Sequence, residues 1–464
     1  MAHFTHRRPA RKLTPAQFAR RRRKRVRRRA QRAEDGQRTG LVVFLEWVRT
    51  FGVVGWFDGH VVERASQAVF HKTGCFVALL VRATMGIGGM GDLVSYIRRE
   101  GLSGALGFVK ELTFVNPLAD LLREFTEAII NDLLEEVLRT LVREGVQLGE
   151  VVAIDSSFLH VFGKTYEDAA RGFSGHLGKT ALGYKLHLAY DVQLRLPLAI
   201  WITSGKDSDS SSLKVLRERV TRVMGKRPNQ MFLLDRGYFD AAELDRLDRD
   251  EALFVCRAKL VPNYIKEAVA SFKDEDFTYR FKNFRLATTT VVEPTKLIVL
   301  RVVVVRHVAF PKPLVLVCNA TEIRPVQVYR LYKKRFLIEA AFHELRGKWH
   351  LNRFVGTRLA QVIGHIGIAV LALTLHRCFR ESLQRHTARA GTKTFRREVY
   401  QAPVPDIPET ASSRQLSRLP VHRLLRELVK LLQTGATRAK ALLIRLLETS
   451  IPKPRILILD LVEP

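Results

Sequence analysis

The sequence predicts an α/β protein: a mixed-sheet core interrupted by a β-rich insertion and preceded by an all-helical N-terminal unit. Three observations carry this. Apolar residues recur every three or four positions from Leu41 to Glu150, as in LADLLREFTEAIINDLLEEVLRTLVREG. The character changes at Gly149 to short apolar or alternating runs, VVAID, YKLHLAYD and LPLAIWITSG. Between Lys259 and about Pro313 the chain is rich in β-branched residues, including ATTTVVE and KLIVLRVVVVRHVAF.

Taken in order, residues 1–40 form a basic arm, with 15 Lys and Arg against Glu34 and Asp35, a net of +13. A run such as Arg20 to Arg29 repels itself and is expected to be disordered until it meets phosphate. Residues 41–148 read as a helical unit. Gly86, Gly88, Gly89 and Gly91 open a loop within it but form no phosphate loop, because no Gly-Lys-Ser/Thr follows. Gly145 ends its last helix. Residues 149–258 and 314–380 form the core. VVAID, YKLHLAYD and LPLAIWITSG are strands, Ser208 to Met224 a helix with Ser and Asp as caps, QMFLLD a strand, Ala241 to Leu247 a short helix, and LFVCRA a strand. Strand, strand, strand, helix, strand, helix, strand is the order of a ribonuclease H-like core. Residues 259–313 are the insertion. LVLVCNA resumes the core, and Pro325 opens a long helix through Leu345, ended by Gly347. An apolar helix follows near Leu359 to Phe379. Its most apolar part, Ile366 to Leu375, is shorter than the roughly 20 residues that span a bilayer and reads as buried. Residues 381–464 are a basic helical C-terminal region.

The 464 residues hold 77 Lys and Arg against 46 Asp and Glu, a formal charge of +31, which favours a polyanionic partner through counterion release. A ribosome-like or membrane-surface protein is the competing reading, but 47% hydrophobic content indicates a sizeable core. Nucleic acid is the expected partner, and no membrane. Cys75, Cys256, Cys318 and Cys378 lie far apart with no C-x-x-C pair, so neither disulfide framework nor cysteine zinc site is indicated. A reducing compartment fits, and no signal-peptide pattern is present.

Phosphodiester cleavage without a covalent intermediate needs an in-line attacking oxygen, and two metal ions about 3.5 to 4 Å apart stabilise both attacking and leaving oxygens. Hard Mg2+ prefers oxygen donors, supplied by carboxylates on converging elements. Asp155 ends VVAID and Asp235 ends MFLLD; as neighbours in one sheet they would lie side by side. Alternation puts Asp155 on one face with Val151 and Ala153, opposite Val152 and Ile154. Either Asp alone reads equally as a turn opener. On the long helix, Tyr332, Arg335, Glu339 and Arg346 fall within a stripe about 60° wide at about 100° per residue. That stripe borders the apolar row Val328, Leu331, Ile338, Phe342 and Leu345. One metal ligand flanked by phosphate contacts fits this stripe, and so does a surface ladder of ion pairs, Arg335 with Glu339 especially.

Here the sequence resembles the insertion-sequence-four group of bacterial DDE transposases, whose signature is Y-x2-R-x3-E-x6-K. The matching residues are Tyr332, Arg335, Glu339 and Arg346, with AIDSS around Asp155 and LLDRGYFD around Asp235. GYKLHLAYD, FVCRAK and LVLVCNA also look like that group's strands, so the resemblance spans about Val151 to Trp349. It implies a transposase that cuts element ends and joins the 3′-hydroxyl to target DNA. Asp155, Asp235 and Glu339 would be the catalytic residues and the ligands of two Mg2+ (or Mn2+) ions. Tyr332, Arg335 and Arg346 would contact DNA. The implied partners are terminal inverted repeats and target DNA, bound by a homodimer on paired ends, in a bacterial cytoplasm in association with the nucleoid. Two other readings stay open, a ribonuclease H-like nuclease without strand transfer and a catalytically silent DNA-binding descendant.

The chain departs from the group twice. Arg346 stands where Lys is usual, and a guanidinium grips phosphate differently from an ammonium. Lys348 is about 180° from Glu339 and does not replace it. The insertion has no Trp, the four being Trp47, Trp56, Trp201 and Trp349, although relatives wedge such a Trp beside a flipped base; Tyr279, Phe281 and Phe284 are expected to pack instead. His187 and His343 read as ordinary residues, without a second His at zinc spacing. Lys206, Asp207 and Asp209 suggest a helix cap before a phosphate contact.

Overall fold

The computed structural model describes residues 39–61, 70–163, 165–175 and 177–384. The basic arm up to residue 38 and the C-terminal region from residue 385 lie outside the described residues.

Among the described residues, six helices precede the first strand: α1 (Thr39–Thr50), α2 (Val53–Val61), α3 (Lys72–Met85), α4 (Met90–Arg99), α5 (Asn116–Glu124) and α6 (Glu127–Arg143). Gly86 ends α3 in the left-handed region, at φ 68°, and its amide donates back to the last turn. Thr126 caps α6 through its side chain, accepting from the Ile129 amide at 3.3 Å.

The core strands are β1 (Val151–His160), β2 (Ala170–Ser174), β3 (Lys179–Asp191), β4 (Leu196–Ser204), β5 (Met231–Leu234) and β6 (Leu253–Arg257). Helix α7 (Leu213–Met224) joins β4 to β5 and α8 (Ala241–Arg249) joins β5 to β6. β1 runs antiparallel to β3 and parallel to β5, β3 antiparallel to β4, and β5 parallel to β6. The strand β2, not foreseen from ARGFS, pairs with the far end of β3. Cβ-free Gly183 is required on β3, because a Cβ there would sit 2.1 Å from the Leu159 carbonyl oxygen.

The segment after β6 begins with a helix, α9 (Asn263–Ala270), where only strand was expected. It then forms β7 (Tyr279–Phe281), β8 (Phe284–Val292), β9 (Val299–His307) and β10 (Phe310–Cys318). β10 pairs with β6, so these strands extend the same sheet, which runs β2-β3-β1-β5-β6-β10-β9-β8-β7 with β4 also on β3. Three helices close the described chain: α10 (Pro325–Lys334), α11 (Phe336–Lys348) and α12 (Leu359–Gln384).

The sheet's two faces bury separate cores. Val151 and Ala153 join the N-terminal helices and α10–α12 on one side. Val152 and Ile154 join α7, α8 and α9 on the other. The apolar helix is longer than expected, 26 residues, and is apolar enough to cross a membrane, yet 89% of its most apolar window is buried inside the protein. It is the central rod of the helical layer. Gly364 and Gly367 let α5 and α6 approach it: a Cβ at Gly367 would lie 2.2 Å from Ile130 Cδ1, and one at Gly364 would lie 2.8 Å from the Leu122 carbonyl oxygen. Asn131 of α6 then covers the outer edge of β4, donating to the Ile200 carbonyl at 2.9 Å and accepting from its amide at 2.8 Å.

Candidate active site

Parallel register brings the two aspartates together. β1 and β5 pair Ile154 with Leu234, so the next residue on each, Asp155 and Asp235, emerges at the same level. Asp155 does not end its strand, as expected from VVAID. β1 continues five residues to His160 because residues 156–160 find partners at 183–187 of β3. It is β5 that stops, where Asp235 enters the 3-10 turn Arg236–Tyr238. The sheet therefore opens beside Asp155. Neither carboxylate is spent on capping that turn: Asp235 makes no side-chain cap bond and accepts from the Tyr332 hydroxyl at 3.2 Å.

The expected long helix is two helices meeting at Arg335, and it runs through Gly347 to Lys348. At the junction the Arg335 amide bonds Tyr332 O at 3.0 Å and the Ile338 amide bonds Arg335 O at 2.9 Å, both three residues apart. This tightened turn drives Arg335 inward. Its guanidinium, 6% exposed, pairs with Asp155 Oδ2, reaches Glu339 Oε1 at 2.7 Å and lies 3.7 Å from Asp235 Oδ1. The expected Arg335–Glu339 pair thus exists, but as one arm of a buried junction and not as a surface ladder. Exposure rises outward, from 13% for the Asp155 side chain to 32% for Asp235 and 47% for Glu339. Arg346 also faces β1, donating to Ser157 Oγ at 2.8 Å, one alternation beyond Asp155. Lys348 lies 4.0 Å from Glu344 instead. His343 is exposed.

Burial pushes the Asp155 carboxyl up to about 7; Arg335 opposes this, while Asp235 and Glu339 add to it. Burial alone would lower Arg335, but the pull of Asp155, then of Tyr332, Asp235 and Glu339, carries it above its ordinary value and keeps it charged. Burial raises the Tyr332 hydroxyl, against Arg335. Burial lowers Arg346.

Among the described residues no three Asp, Glu, His or Cys side chains stand as a ready metal cage. The three carboxylates share a guanidinium instead. As a donor set they nonetheless suit a hard divalent cation: oxygen atoms only, from three elements, all within reach of one small cationic group. Cys256 is no competitor, since burial raises its thiol and it rests 3.7 Å from the Asp235 carbonyl oxygen.

A supporting layer behind the carboxylates was not foreseen. His187, buried opposite Ser156, shares hydrogen bonds with Tyr238 Oη at 2.8 Å through Nδ1 and with Thr203 Oγ1 at 2.9 Å through Nε2. Burial lowers it to about 4, so the ring is neutral and fully partnered. Tyr238 lies within LLDRGYFD and His187 within GYKLHLAYD, the sequence signals for this layer. Asp209 does not cap the following helix; it pairs with Lys185 at 3.0 Å, while Asp207 accepts from the Ser204 amide at 3.0 Å. Nor does Ser212 cap α7 through its side chain. Phe281 and Phe284 pack on Tyr329, with ring centroids 6.4 and 4.8 Å away, and Tyr279 is 39% exposed.

Residues 147–375 match the family described as a transposase DDE domain. That range contains Asp155, Asp235, Tyr332, Arg335, Glu339 and Arg346. No curated protein matches the chain. Among solved structures, a piggyBac transposase synaptic complex with hairpin DNA is similar at 12% identity, over 90% of this chain and 84% of that one, with a TM-score of 0.44.

Proposed function

We propose that this chain cuts the ends of an insertion element and joins the freed 3′-hydroxyl to target DNA, with Asp155, Asp235 and Glu339 as the ligands of two Mg2+ or Mn2+ ions. The single observation that carries the reading is the convergence of three carboxylates, from β1, the end of β5 and α11, on one guanidinium. The strand order β4-β3-β1-β5-β6 with β3 antiparallel supports a ribonuclease H-like core.

Bound metal would stabilise the attacking and leaving oxygens of an in-line displacement. The protein's part is positioning. Asp155 and Asp235 are fixed by sheet register, whereas Glu339 is half exposed on its helix and has room to turn toward the sheet. Tyr332, Arg335 and Arg346 line the same face and would orient the cleaved strand's phosphates by charge-assisted hydrogen bonds. DNA as the partner is supported by the formal charge of +31. A homodimer on paired ends follows from the resemblance alone.

The test uses labelled duplexes carrying the DNA that flanks the coding sequence on each side, with plasmid as target and Mg2+. Cut ends bearing 3′-hydroxyls, then joined products, are expected. Asp155→Ala, Asp235→Ala and Glu339→Ala should each lose about a thousandfold or more of cleavage, the scale of removing one member of a catalytic unit, while still binding duplex. Cleavage retained by Glu339→Ala removes that residue from the mechanism. Cutting without joining makes the protein a nuclease, and binding without cutting makes it catalytically silent.

A further inference from the structure

We propose that Arg335 is the resident counter-ion of the three carboxylates, holding them together in the metal-free protein, and that it weakens metal binding until its guanidinium leaves for a DNA phosphate. This rests on the assignment of Asp155, Asp235 and Glu339 as ligands.

The guanidinium spans Asp155 Oδ2, Glu339 Oε1 and Asp235 Oδ1, one oxygen from each carboxylate. Metal ions would use those same oxygens, so the two kinds of cation compete for one place. A planar fork donates to Asp155 and Glu339 while its charge stays 3.7 Å from Asp235, a span that a point-charged ammonium cannot match equally well. The balance is incomplete, because one positive charge faces three carboxylates. Divalent ions arriving among them neutralise more charge and repel the guanidinium. Arg335 also leaves its buried Nε without a hydrogen-bond partner, so its present seat does not satisfy it fully. Its Cζ lies 5.2 Å from the centroid of the Phe336 ring, which is 48% exposed, and 5.4 Å from that of buried Tyr332, so the Phe336 side is the one nearer solvent. A phosphate on that side offers the departing charge a new partner. Metal and DNA then favour each other's binding through one side chain, and the coupling is reciprocal.

The experiment titrates Mn2+ into the full chain without DNA and reads free Mn2+ by its paramagnetic resonance. Wild type is compared with Arg335→Gln and Arg335→Lys, and Asp235→Asn serves as the site control. Arg335→Gln should bind Mn2+ at least about tenfold more tightly than wild type, a difference of about 1.4 kcal/mol. Arg335→Lys should fall between them. In thermal unfolding, Arg335→Gln should melt below wild type in chelator and gain more from Mn2+, because its carboxylates have lost the cation they share. If Arg335→Gln does not fold without metal, Arg335→Lys carries the test. Affinity in these variants equal to or weaker than wild type overturns the counter-ion role while leaving the ligand assignment standing. Binding undiminished in Asp235→Asn overturns the ligand assignment, and the counter-ion role with it.

Discussion

Arg82 and Arg335 are equally hidden, 4% and 5% exposed, yet their surroundings treat them oppositely. Arg82, on α3, donates to the Gly88 carbonyl at 2.7 Å and lies 3.2 Å from Nδ1 of His365 on α12. His365 in turn shares a 3.1 Å bond with the His350 carbonyl through Nε2. The hydrogen bonds of this cluster use only carbonyl dipoles and a neutral ring, so burial lowers the guanidinium to about 10. Arg335 faces three carboxylates and is held above its ordinary value. The first arrangement is a clamp, tying the glycine loop after α3 to the helical layer. The second gathers three carboxylates on one guanidinium, the arrangement on which the proposed metal site rests.

The comparison breaks most visibly through stability. Arg82→Ala should cost about 3 kcal/mol in denaturant unfolding, because it empties a buried site and removes the partner of the part-buried Gly88 carbonyl and of His365 Nδ1. It should leave cleavage per folded molecule unchanged. A reduced cleavage rate in fully folded Arg82→Ala would mean that the clamp is part of the catalytic apparatus.

A smaller effect separates the clusters by pH. His365 is lowered to about 3 by burial first and by Arg82 next, against an ordinary value of 6.5. The unfolded chain therefore binds a proton below 6.5 that the folded chain refuses, and stability falls as the solution is acidified through that window. Between neutral pH and about pH 5 the loss from this group is about 2 kcal/mol. His187 adds a loss of the same sign. His365→Gln keeps a donor and an acceptor without titrating, so unfolding measured against pH should show a shallower acid slope. An unchanged slope would show that His365 already takes up its proton in the folded state.

How far the site was legible follows the same division. The carboxylates and the stripe Tyr332, Arg335, Glu339 and Arg346 were readable because strand alternation and helix periodicity are local properties. What each side chain meets across the interface is not local. Arg335 and Asp155 are separated by 180 positions, and Arg82 and His365 by 283. Periodicity aimed Arg335 toward the carboxylates and offered phosphate or Glu339 as its partner, but not Asp155, and nothing in the sequence marked Ser157 as the acceptor for Arg346. The missed elements were weak by composition. β2 is five residues with an Arg and a Gly, and α9 is eight residues beside β-branched runs that outweighed it. Asp155 was misplaced at a strand end because SSFLH has little strand signal until β3 pairs with it.

The smallest expected effect concerns Arg346, where the chain leaves the Y-R-E-K pattern. Arg346→Ala should slow cleavage or joining about 10- to 100-fold without weakening Mn2+ binding, since a phosphate contact near the reacting bond affects positioning and not ligation. Arg346→Lys should recover part of that. Lys348→Ala, altering the side chain beside Glu344, should match the parent. Inactive Lys348→Ala with parental Arg346→Ala would reverse the assignment of the helix face.

The central claim, that Asp155, Asp235 and Glu339 hold the catalytic ions, is tested most directly without knowing any DNA sequence. Fe2+ replaces Mg2+ in the full chain, ascorbate and peroxide are added, and the backbone breaks made by locally generated hydroxyl radicals are mapped. Breaks near residues 155, 235 and 339 together, suppressed by excess Mg2+ and absent in Asp235→Asn, are predicted. Breaks clustered elsewhere, or unaltered in Asp235→Asn, would contradict the assignment.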